Sequence, residues 1–595
     1  MKERIFPILT ILAAGVLAYL CALQVGFLPI DDVGMTEFVT QQTLDLKSLL
    51  FGGASTYYRP MVVISYVANY SIFGLPPLSF HAVNVVIHLA NALLIYWLAS
   101  LFFADHPQKE RAALIASLFF LLNPLNSEAV IWVSARPDLL CTFFFILAMV
   151  LLVERREQVT WQTLFCFTAA YLASLASKES SIAVAAIVPL YLLRRAPREG
   201  KRDALMLFGA VAGTTTLYLL LRAGTALNFD RGVASLAKGV LSKGGVEKVP
   251  KAMEGTAAAA ATAAQSYTYP TVLDALGGYG FYLRKLVFPF PLNFTILTYD
   301  LPLGLAACAL AVAAAWVLMR RRPQALLPLL IVFVGIIPPL LAYLGRIPWT
   351  PFGERYLYLP MVGFSLLVPL VLLEFKVPAW LLLGGVLLLG IPTINRAALW
   401  RDPTAFWQDC LKHSPGFAKS YSSLGAVALD DQRYDDAERY IRKAQALGFN
   451  EPVAWKNLAR VYLARKDYPR YEQAMQQAAN HSRNPIPVYH EMVLALMGAR
   501  GLDEATRFQK GIKYHLATIE SDPGYLDAYY NVGKLYYAQG DAEHARRYLG
   551  RYAELAKGGE NRVFALKMIA NLDSGSFKSR KALVAPPAVR QGGEK

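Results

Sequence analysis

Long apolar segments alternate with short polar turns over the first two thirds of the chain. Five segments are nearly free of charge, at residues 5–30, 139–153, 303–319, 325–344 and 378–394. Each is close to the about 20 residues that a helix needs to cross a bilayer. Together with less apolar segments, the pattern predicts about eleven membrane-spanning helices, near 5–26, 80–104, 111–124, 138–153, 160–176, 179–194, 203–222, 303–319, 325–344, 356–374 and 378–395.

Basic residues in the turns predict the orientation of these helices. Turns rich in lysine and arginine face the cytoplasm, and here such residues concentrate at 109–111, 155–156, 194–202 and 320–322. Placing these turns in the cytoplasm puts the amino terminus there as well. Because the number of crossings is odd, the carboxyl terminus is then predicted to lie outside. The apolar segment 278–291 is short and carries two basic residues, which predicts an interfacial or re-entrant helix on the outer face. The alanine-rich run 255–264 is predicted to form either a helix or a mobile lid.

Beyond residue 395 the charges are scattered and aromatic residues recur at a nearly fixed interval. Tyr421, Trp455, Tyr489 and Tyr529 are separated by 34, 34 and 40 residues. A period of about 34 residues with small residues between the aromatics is typical of tetratricopeptide repeats, which stack helical hairpins into a solenoid. We therefore predict an α-solenoid over residues 401–573, with an ordinary helical bundle as the alternative. The basic tail 574–595 is predicted to be disordered.

Composition supports a membrane protein and excludes two other classes. Hydrophobic residues make up 55% of the 595 residues and charged residues only 17%, which is far from soluble averages. The net charge of +16 lies largely in the turns between apolar segments, so a nucleic-acid partner is not predicted. The five cysteines follow no spacing of a disulfide framework or a cysteine metal site.

Ionisable residues collect at the ends of the predicted spans, on the side predicted to face outward. Because a charge at the bilayer centre costs about 2.5–3.5 kcal/mol, such residues are functional candidates. Ion pairs that fix helix packing, and hydrogen bonds between helices for the histidines, are the alternatives. The candidates are Asp31, Asp32, Arg59, His81, His88, Glu128, Arg136, Asp138, Lys178, Glu179, Glu354 and Arg355.

Several short motifs in register carry a family resemblance over most of the membrane domain. They are Asp31-Asp32-Val33, Tyr58-Arg59-Pro60, Phe80-His81 through His88, Asn123 through Val130 with Arg136, Lys178-Glu179, and Glu354 through Pro360. With these motifs and the repeats that follow, the chain resembles the transmembrane and tetratricopeptide-repeat (TMTC) O-mannosyltransferases of the GT-C class of membrane glycosyltransferases. Asn123 and Asn126 stand where that family commonly has histidines.

The resemblance implies an all-α GT-C-like transmembrane domain over 1–400 that transfers a sugar, with inversion, from a polyprenyl-phosphate donor to a hydroxyl of an extracytoplasmic protein held by the repeats. Mannose is the sugar in the family name, and the sequence leaves the sugar open. Asp31 or Asp32 would act as the general base. Donor-phosphate binding would fall to Arg59, Arg136, Lys178 and Arg355, and sugar or acceptor binding and support to His81, His88, Glu128, Asp138, Glu179 and Glu354.

Cofactor and location follow from the same pattern. No dinucleotide or P-loop motif is present, so a soluble nucleotide-sugar donor has no evident site. No cofactor is required, and the carboxylates could hold a divalent metal although nothing demands one. The compact loops predict a bacterial inner-membrane protein with the repeats and the active site in the periplasm.

Three alternatives stay open at this point. One is transfer of a lipid-linked oligosaccharide, or transfer to a glycan or lipid. A membrane-anchored repeat scaffold without enzyme activity is the second. The third is a transporter, which the gathering of polar residues at outer helix ends, away from the bilayer midplane, disfavours.

Overall fold

The computed structural model describes residues 2–28, 30–41, 58–154, 159–195, 201–225, 271–345, 352–373, 378–482 and 484–574. They form two compact units, which meet in sequence at residue 417. Regular structure in the described residues is helical apart from one isolated bridge between Ile296 and Phe352. The predicted all-α class is therefore confirmed. The predicted run 255–264 and residues 575–595 of the predicted tail lie outside the described residues.

The first unit contains eighteen described α-helices joined by short 3-10 turns. They are α1 (Lys2–Tyr19), α2 (Asp32–Gln41), α3 (Pro60–Phe73), α4 (Pro77–Phe102), α5 (Lys109–Leu122), α6 (Ser127–Ile131), α7 (Arg136–Glu154), α8 (Trp161–Leu175), α9 (Val184–Arg195), α10 (Lys201–Thr225), α11 (Val272–Val287), α12 (Leu301–Arg321), α13 (Leu326–Gly335), α14 (Ile337–Leu344), α15 (Pro360–Leu372), α16 (Ala379–Leu388), α17 (Gly390–Leu399) and α18 (Pro403–His413).

Seven helical segments in the described residues are long and apolar enough to cross a membrane, or eight if a bent pair counts as one span. The seven are Ile5–Gln24, Pro77–Phe102, Val133–Glu154, Arg202–Ala223, Leu301–Arg321, Pro323–Leu344 and Trp380–Leu399, and the pair is Lys109–Leu122 with Pro124–Ile131. They match eight of the eleven predicted crossings. The other three are the shorter helices α8, α9 and α15, of 15, 12 and 13 residues.

Helix α11 contains residues 278–287 of the segment 278–291 that is predicted to be interfacial or re-entrant. It packs along α12, where Gly280 and Gly304 allow the two backbones to touch. A Cβ atom built on Gly280 would lie 1.8 Å from the carbonyl oxygen of Gly304, so no larger residue fits. Its placement on the outer face stays a prediction, as does the orientation of every span.

The second unit consists of helical hairpins followed by one further helix. Its helices are α19 (Ala418–Asp430), α20 (Tyr434–Ala446), α21 (Pro452–Ala464), α22 (Tyr468–Asn480), α23 (Ile486–Met497), α24 (Glu504–Ser521), α25 (Leu526–Gln539), α26 (Ala542–Leu555) and α27 (Glu560–Asp573). Each hairpin packs on the next in chain order.

Small residues explain the close approach within the hairpins. Gly425 of α19 faces Ile441 of α20, and a Cβ there would lie 2.6 Å from its side chain. Ala437 and Ala444 are fully buried at the same crossing, while Tyr421, Trp455 and Tyr489 pack against the shared core. This is the arrangement that the repeat pattern predicts, so the solenoid is confirmed. The predicted domain boundary at residue 400 stays a prediction, and α18 belongs to the first compact unit.

Candidate active site

The two neighbouring aspartates at the start of α2 have opposite environments. Asp32 is fully buried, whereas Asp31 is exposed. Asp32 accepts hydrogen bonds from the backbone N–H of Leu28 at 2.9 Å, from the backbone N–H of Ser134 at 3.0 Å and from the Ser134 hydroxyl. Burial raises the pKa of Asp32 to about 6, although these hydrogen bonds oppose the rise. Asp32 thus ties the chain after the first span to the loop before α7.

Arg136 lies two residues after Ser134 and is completely buried. Its guanidinium donates to the side chains of Asn84 at 2.8 Å and Asn69 at 3.0 Å, to Ser65, and to the Phe80 carbonyl at 3.0 Å. It also lies 4.4 Å from the ring centroid of Tyr66. These contacts occupy the five N–H donors of an arginine. A phosphate contact, predicted from the sequence, would require protein hydrogen bonds to break.

Asp138 and Lys178 form an ion pair between α7 and the turn before α9. Their atoms are 2.5 Å apart and both side chains are 11% exposed. The Lys178 ammonium also lies 5.1 Å from the ring centroid of Tyr356. This ring therefore links the pair to the next group of charges.

Glu128 and Arg355 form a buried ion pair with a separation of 2.5 Å. Glu128 also accepts from the backbone N–H of Glu354 at 2.9 Å, which fixes the turn that carries Arg355. The guanidinium lies 4.6 Å from the ring centroid of Tyr356 and 4.9 Å from that of Trp132. Arg355 and Lys178 thus flank one tyrosine ring.

Glu354, the neighbour of Arg355, faces away from Glu128 toward other cations. Its carboxylate accepts from Lys285 at 2.8 Å and from the backbone N–H of Asn293 at 2.8 Å, and lies 3.6 Å from Arg396. Both Glu354 and Lys285 are buried. Because these contacts surround Glu354 with protein, they suit a role in holding the Glu354–Arg355 turn.

Arg59 and Glu179 form a fourth ion pair, at 2.7 Å, whose side chains are more exposed than those of the other three. The Glu179 carboxylate also lies 3.6 Å from Arg222, in the last turn of α10. Since Glu179 follows Lys178 directly, this group adjoins the Asp138–Lys178 pair.

The two histidines of α4 differ in their partners. His88 is within hydrogen-bond distance of the Tyr358 hydroxyl at 2.6 Å and the Leu121 carbonyl at 3.1 Å, so both ring nitrogens are used between helices. His81 is 1% exposed, and its ring nitrogens have no hydrogen-bond partner in the described part of the chain. A direct sugar contact from His88 would compete with these bonds.

The structure brings these groups from distant parts of the sequence into one connected cluster. Asp32 contacts the Ser134 loop that leads to Arg136 and Asp138; Asp138 pairs with Lys178, and Tyr356 links Lys178 to Arg355 and Glu128. Residues that the sequence analysis did not predict for the site also take part, among them Ser134, Arg222, Lys285 and Arg396. A charge near the end of an apolar helix is the sequence signal that Arg222, Lys285 and Arg396 share.

The described residues contain no group of three or more histidine, cysteine, aspartate or glutamate side chains that could hold a metal ion. The carboxylates of the cluster other than Asp31 instead each contact a cation or an N–H donor. The groups available for chemistry are thus the exposed carboxylate of Asp31 beside the buried Asp32, and cations such as Lys178 and Arg355 that lie against aromatic rings.

Three curated relatives match most of the chain. Protein O-mannosyl-transferase Tmtc3 of Drosophila melanogaster is 25% identical over 80% of this chain and 59% of its own length. Protein O-mannosyl-transferase F38B6.6 of Caenorhabditis elegans is 24% identical over 66% of this chain and 54% of its own length. Protein O-mannosyl-transferase TMTC3 of Homo sapiens is 22% identical over 80% of this chain and 55% of its own length. The chain resembles the TMTC O-mannosyltransferases.

The chain spans somewhat more than half the length of these relatives. It matches no protein-family model. Among solved structures, the tetratricopeptide-repeat protein YrrB, described as having an unusual peptide-binding site, is 21% identical over 30% of this chain and 87% of its own, with a TM-score of 0.21. Yeast Tom70 is 11% identical over 80% of this chain and 95% of its own, with a TM-score of 0.19.

Proposed function

We propose that this chain is a membrane glycosyltransferase that moves a sugar from a polyprenyl-phosphate donor to a hydroxyl group of an extracytoplasmic protein. The observation that carries the proposal is the exposed Asp31 next to Asp32, which is buried and hydrogen-bonded to the loop that leads to Arg136. Relatives that match 80% of the chain are named protein O-mannosyl-transferases, which supports the same chemistry.

Asp31 is the general base in this proposal and Asp32 is a positioning residue. Both oxygens of the Asp32 carboxylate already accept hydrogen bonds from the protein, so it is poorly placed to take a proton from an acceptor. The exposed carboxylate of Asp31 is open to a hydroxyl group. A positioned base of this kind contributes about 10²–10⁴-fold to a rate.

The transfer step then proceeds with inversion. As the acceptor oxygen bonds to the anomeric carbon, its proton passes to Asp31. The bond from that carbon to the phosphate oxygen breaks, and the electron pair leaves with the lipid phosphate. The phosphate gains negative charge in the transition state and needs fixed positive charge nearby. Arg59 and Lys178 are the proposed partners, with Arg355 beside Tyr356 further along the cluster.

The test is transfer by the purified full chain in lipid nanodiscs. We expect Asp31→Asn to abolish transfer while the protein stays folded. Glu37→Gln, an exposed carboxylate on the same helix, is the matched control and should transfer normally. Normal turnover by Asp31→Asn would show that the base is assigned wrongly.

Intact-mass comparison of envelope proteins with and without this chain identifies the product. A single added hexose on proteins supports the proposal. An added oligosaccharide, or a modified glycan or lipid, would point to the second candidate function, which the same cluster could serve. No added mass on any of these classes would contradict a transferase and favour a scaffold.

A further inference from the structure

A buried arginine lies between two carboxylates at a distance too long for a hydrogen bond to either. Arg396, in the last turn of α17, is 4% exposed. Its Nη2 atom lies 3.6 Å from Oε2 of Glu354, and its Nη1 atom lies 3.6 Å from Oδ2 of Asp409. An N–H···O hydrogen bond spans about 2.7–3.2 Å. Within the described residues, Nε and Nη2 of Arg396 and Oε2 of Glu354 have no hydrogen-bond partner.

This arrangement favours a closer contact between Arg396 and Glu354. Unbonded N–H groups and an unbonded carboxylate oxygen are costly when burial removes their hydration. Closing the gap between the two side chains would remove both costs together, and no hydrogen bond from these atoms would have to break. Arg396 also lies in a candidate membrane span, Trp380–Leu399, where a charged residue is rare without a role. What Glu354 holds therefore indicates the role of Arg396.

Glu354 is fixed at one carboxylate oxygen and faces Arg396 with the other. Oε1 accepts from Lys285 and from the Asn293 N–H, both at 2.8 Å, while Oε2 faces Arg396. The next residue is Arg355, in the turn that belongs to the candidate active site. A bond from Arg396 to Oε2 would hold the Glu354 carboxylate at both oxygens and limit its rotation. The turn that carries Arg355 would then be fixed more firmly.

A row of packed aromatic rings joins the same turn to the end of α17. The Arg355 guanidinium lies 4.9 Å from the ring centroid of Trp132. The Trp132 ring packs edge-on against Phe294 at 5.4 Å, and Phe294 packs edge-on against Trp400 at 5.3 Å. Trp400 directly follows α17 and is buried. Because close-packed interiors transmit strain, the position of α17 affects Arg355 through packing as well as through charge.

We propose that Arg396 is a positioning residue for the transfer reaction, which holds the Glu354 carboxylate and, through it, the turn that carries Arg355. Asp409 of α18 competes with Glu354 for the same guanidinium. This inference rests on the proposed function and adds to it a residue that touches neither donor nor acceptor. A brace that stabilises the fold without affecting the reaction is the competing role for a buried charge.

The test measures kcat and the KM for the donor with the purified full chain in lipid nanodiscs. We expect Arg396→Gln to lower kcat about tenfold or more, because a small misplacement at a reaction site is costly, and to leave the KM for the donor nearly unchanged. Arg396→Lys keeps the charge and loses the planar fork of donors, so it should recover part of kcat. Arg401→Gln is the matched control, because Arg401 is an exposed arginine between α17 and α18; it should match the wild type.

A double-mutant cycle with Glu354→Gln separates positioning from bracing. If Arg396 acts through Glu354, adding Arg396→Gln to Glu354→Gln should lower kcat no further, so the two effects are not additive. If the double variant instead loses kcat by the product of the two single factors, Arg396 acts independently of Glu354 and the inference is overturned.

Asp409→Asn tests the competition between the two carboxylates. It removes the charge that draws Arg396 away from Glu354, so kcat should stay at the wild-type level or rise. The Asp409 side chain is 25% exposed, so this variant should fold even if Arg396→Gln does not. A loss of kcat in Asp409→Asn as large as that in Arg396→Gln would show that the three groups form one structural brace, and would overturn the inference.

The remaining outcomes distinguish this inference from the proposed function. Transfer by the wild-type chain together with a wild-type kcat for Arg396→Gln would overturn the role of Arg396 and leave the proposed function standing. A wild-type chain that transfers no sugar to a protein acceptor would overturn the proposed function, and this inference with it. A low kcat in Arg396→Gln, with an unchanged KM and partial recovery in Arg396→Lys, supports both.

Discussion

Asp32 makes the stability of the first unit depend on pH. Its pKa is raised by burial from 3.8 to about 6, so the folded state holds this proton more tightly than the unfolded state. The stabilising contribution is full below about pH 4 and is lost as pH rises through about 6. Two pKa units correspond to about 3 kcal/mol. We expect Asp32→Asn, which is neutral throughout, to lose less stability than the wild type between pH 4.5 and 7.5.

Thermal unfolding of both proteins in nanodiscs at these two pH values measures the difference. Glu37→Gln, on the exposed face of the same helix, serves as the control and should follow the wild type at both. Parallel pH dependence of the wild type and Asp32→Asn would show that Asp32 does not titrate in this range.

At the level of residues, the sequence indicates which charges gather but not what each one does. Asp31 and Asp32 are indistinguishable in the sequence, because their difference comes from Ser134, about a hundred residues away. The sequence predicts Arg136 to be a phosphate ligand, but in the structure its guanidinium donates hydrogen bonds to the side chains of Asn69 and Asn84. Hydrogen-bond partners supplied by remote segments leave no local pattern, so these roles emerge only from the fold.

At the level of elements, the close contact between α11 and α12 allows the helix packing to be tested by a single substitution. Carrying a Cβ, residue 280 would collide with the backbone at Gly304, which cannot rotate away as a side chain can. We expect Gly280→Ala to lower stability by about 1–3 kcal/mol, the usual cost of overpacking. Lys285 on α11 pairs with Glu354 beside Arg355, so transfer should fall as well. Thermal unfolding and initial rates in nanodiscs measure both effects.

Gly213→Ala on α10 is the control for Gly280→Ala, because we do not expect it to lower stability. No atom lies within 4 Å of a Cβ built there, and alanine is the better helix former by about 1 kcal/mol. This variant should unfold at the same temperature as the wild type or slightly higher. Equal unfolding temperatures for Gly280→Ala and Gly213→Ala would mean that α11 and α12 are not in close contact.

Runs of apolar residues predict where the helices of the membrane unit lie better than they predict the lengths of those helices. Each predicted crossing coincides with a helix, because a run of apolar residues is a local signal. The helices α8, α9 and α15 are shorter than a bilayer needs, and the chain bends by 47° at Asn123, between α5 and the helical segment Pro124–Ile131. Such breaks depend on proline and on side-chain caps, such as the Asn123 oxygen that accepts from Leu125 N–H, and composition alone does not reveal them.

At the scale of the whole molecule, the repeats and the membrane unit are joined in one chain, which raises the effective concentration of anything the repeats hold. If they hold the acceptor protein, removing residues 418–595 should raise the KM for that protein at least about tenfold. Turnover on a short acceptor peptide should change little, because the peptide reaches Asp31 without help. Asp31→Asn in the full chain is the counterpart, since it should lower kcat and leave acceptor binding unchanged. An unchanged KM for the protein acceptor after removal of the repeats would assign them another partner.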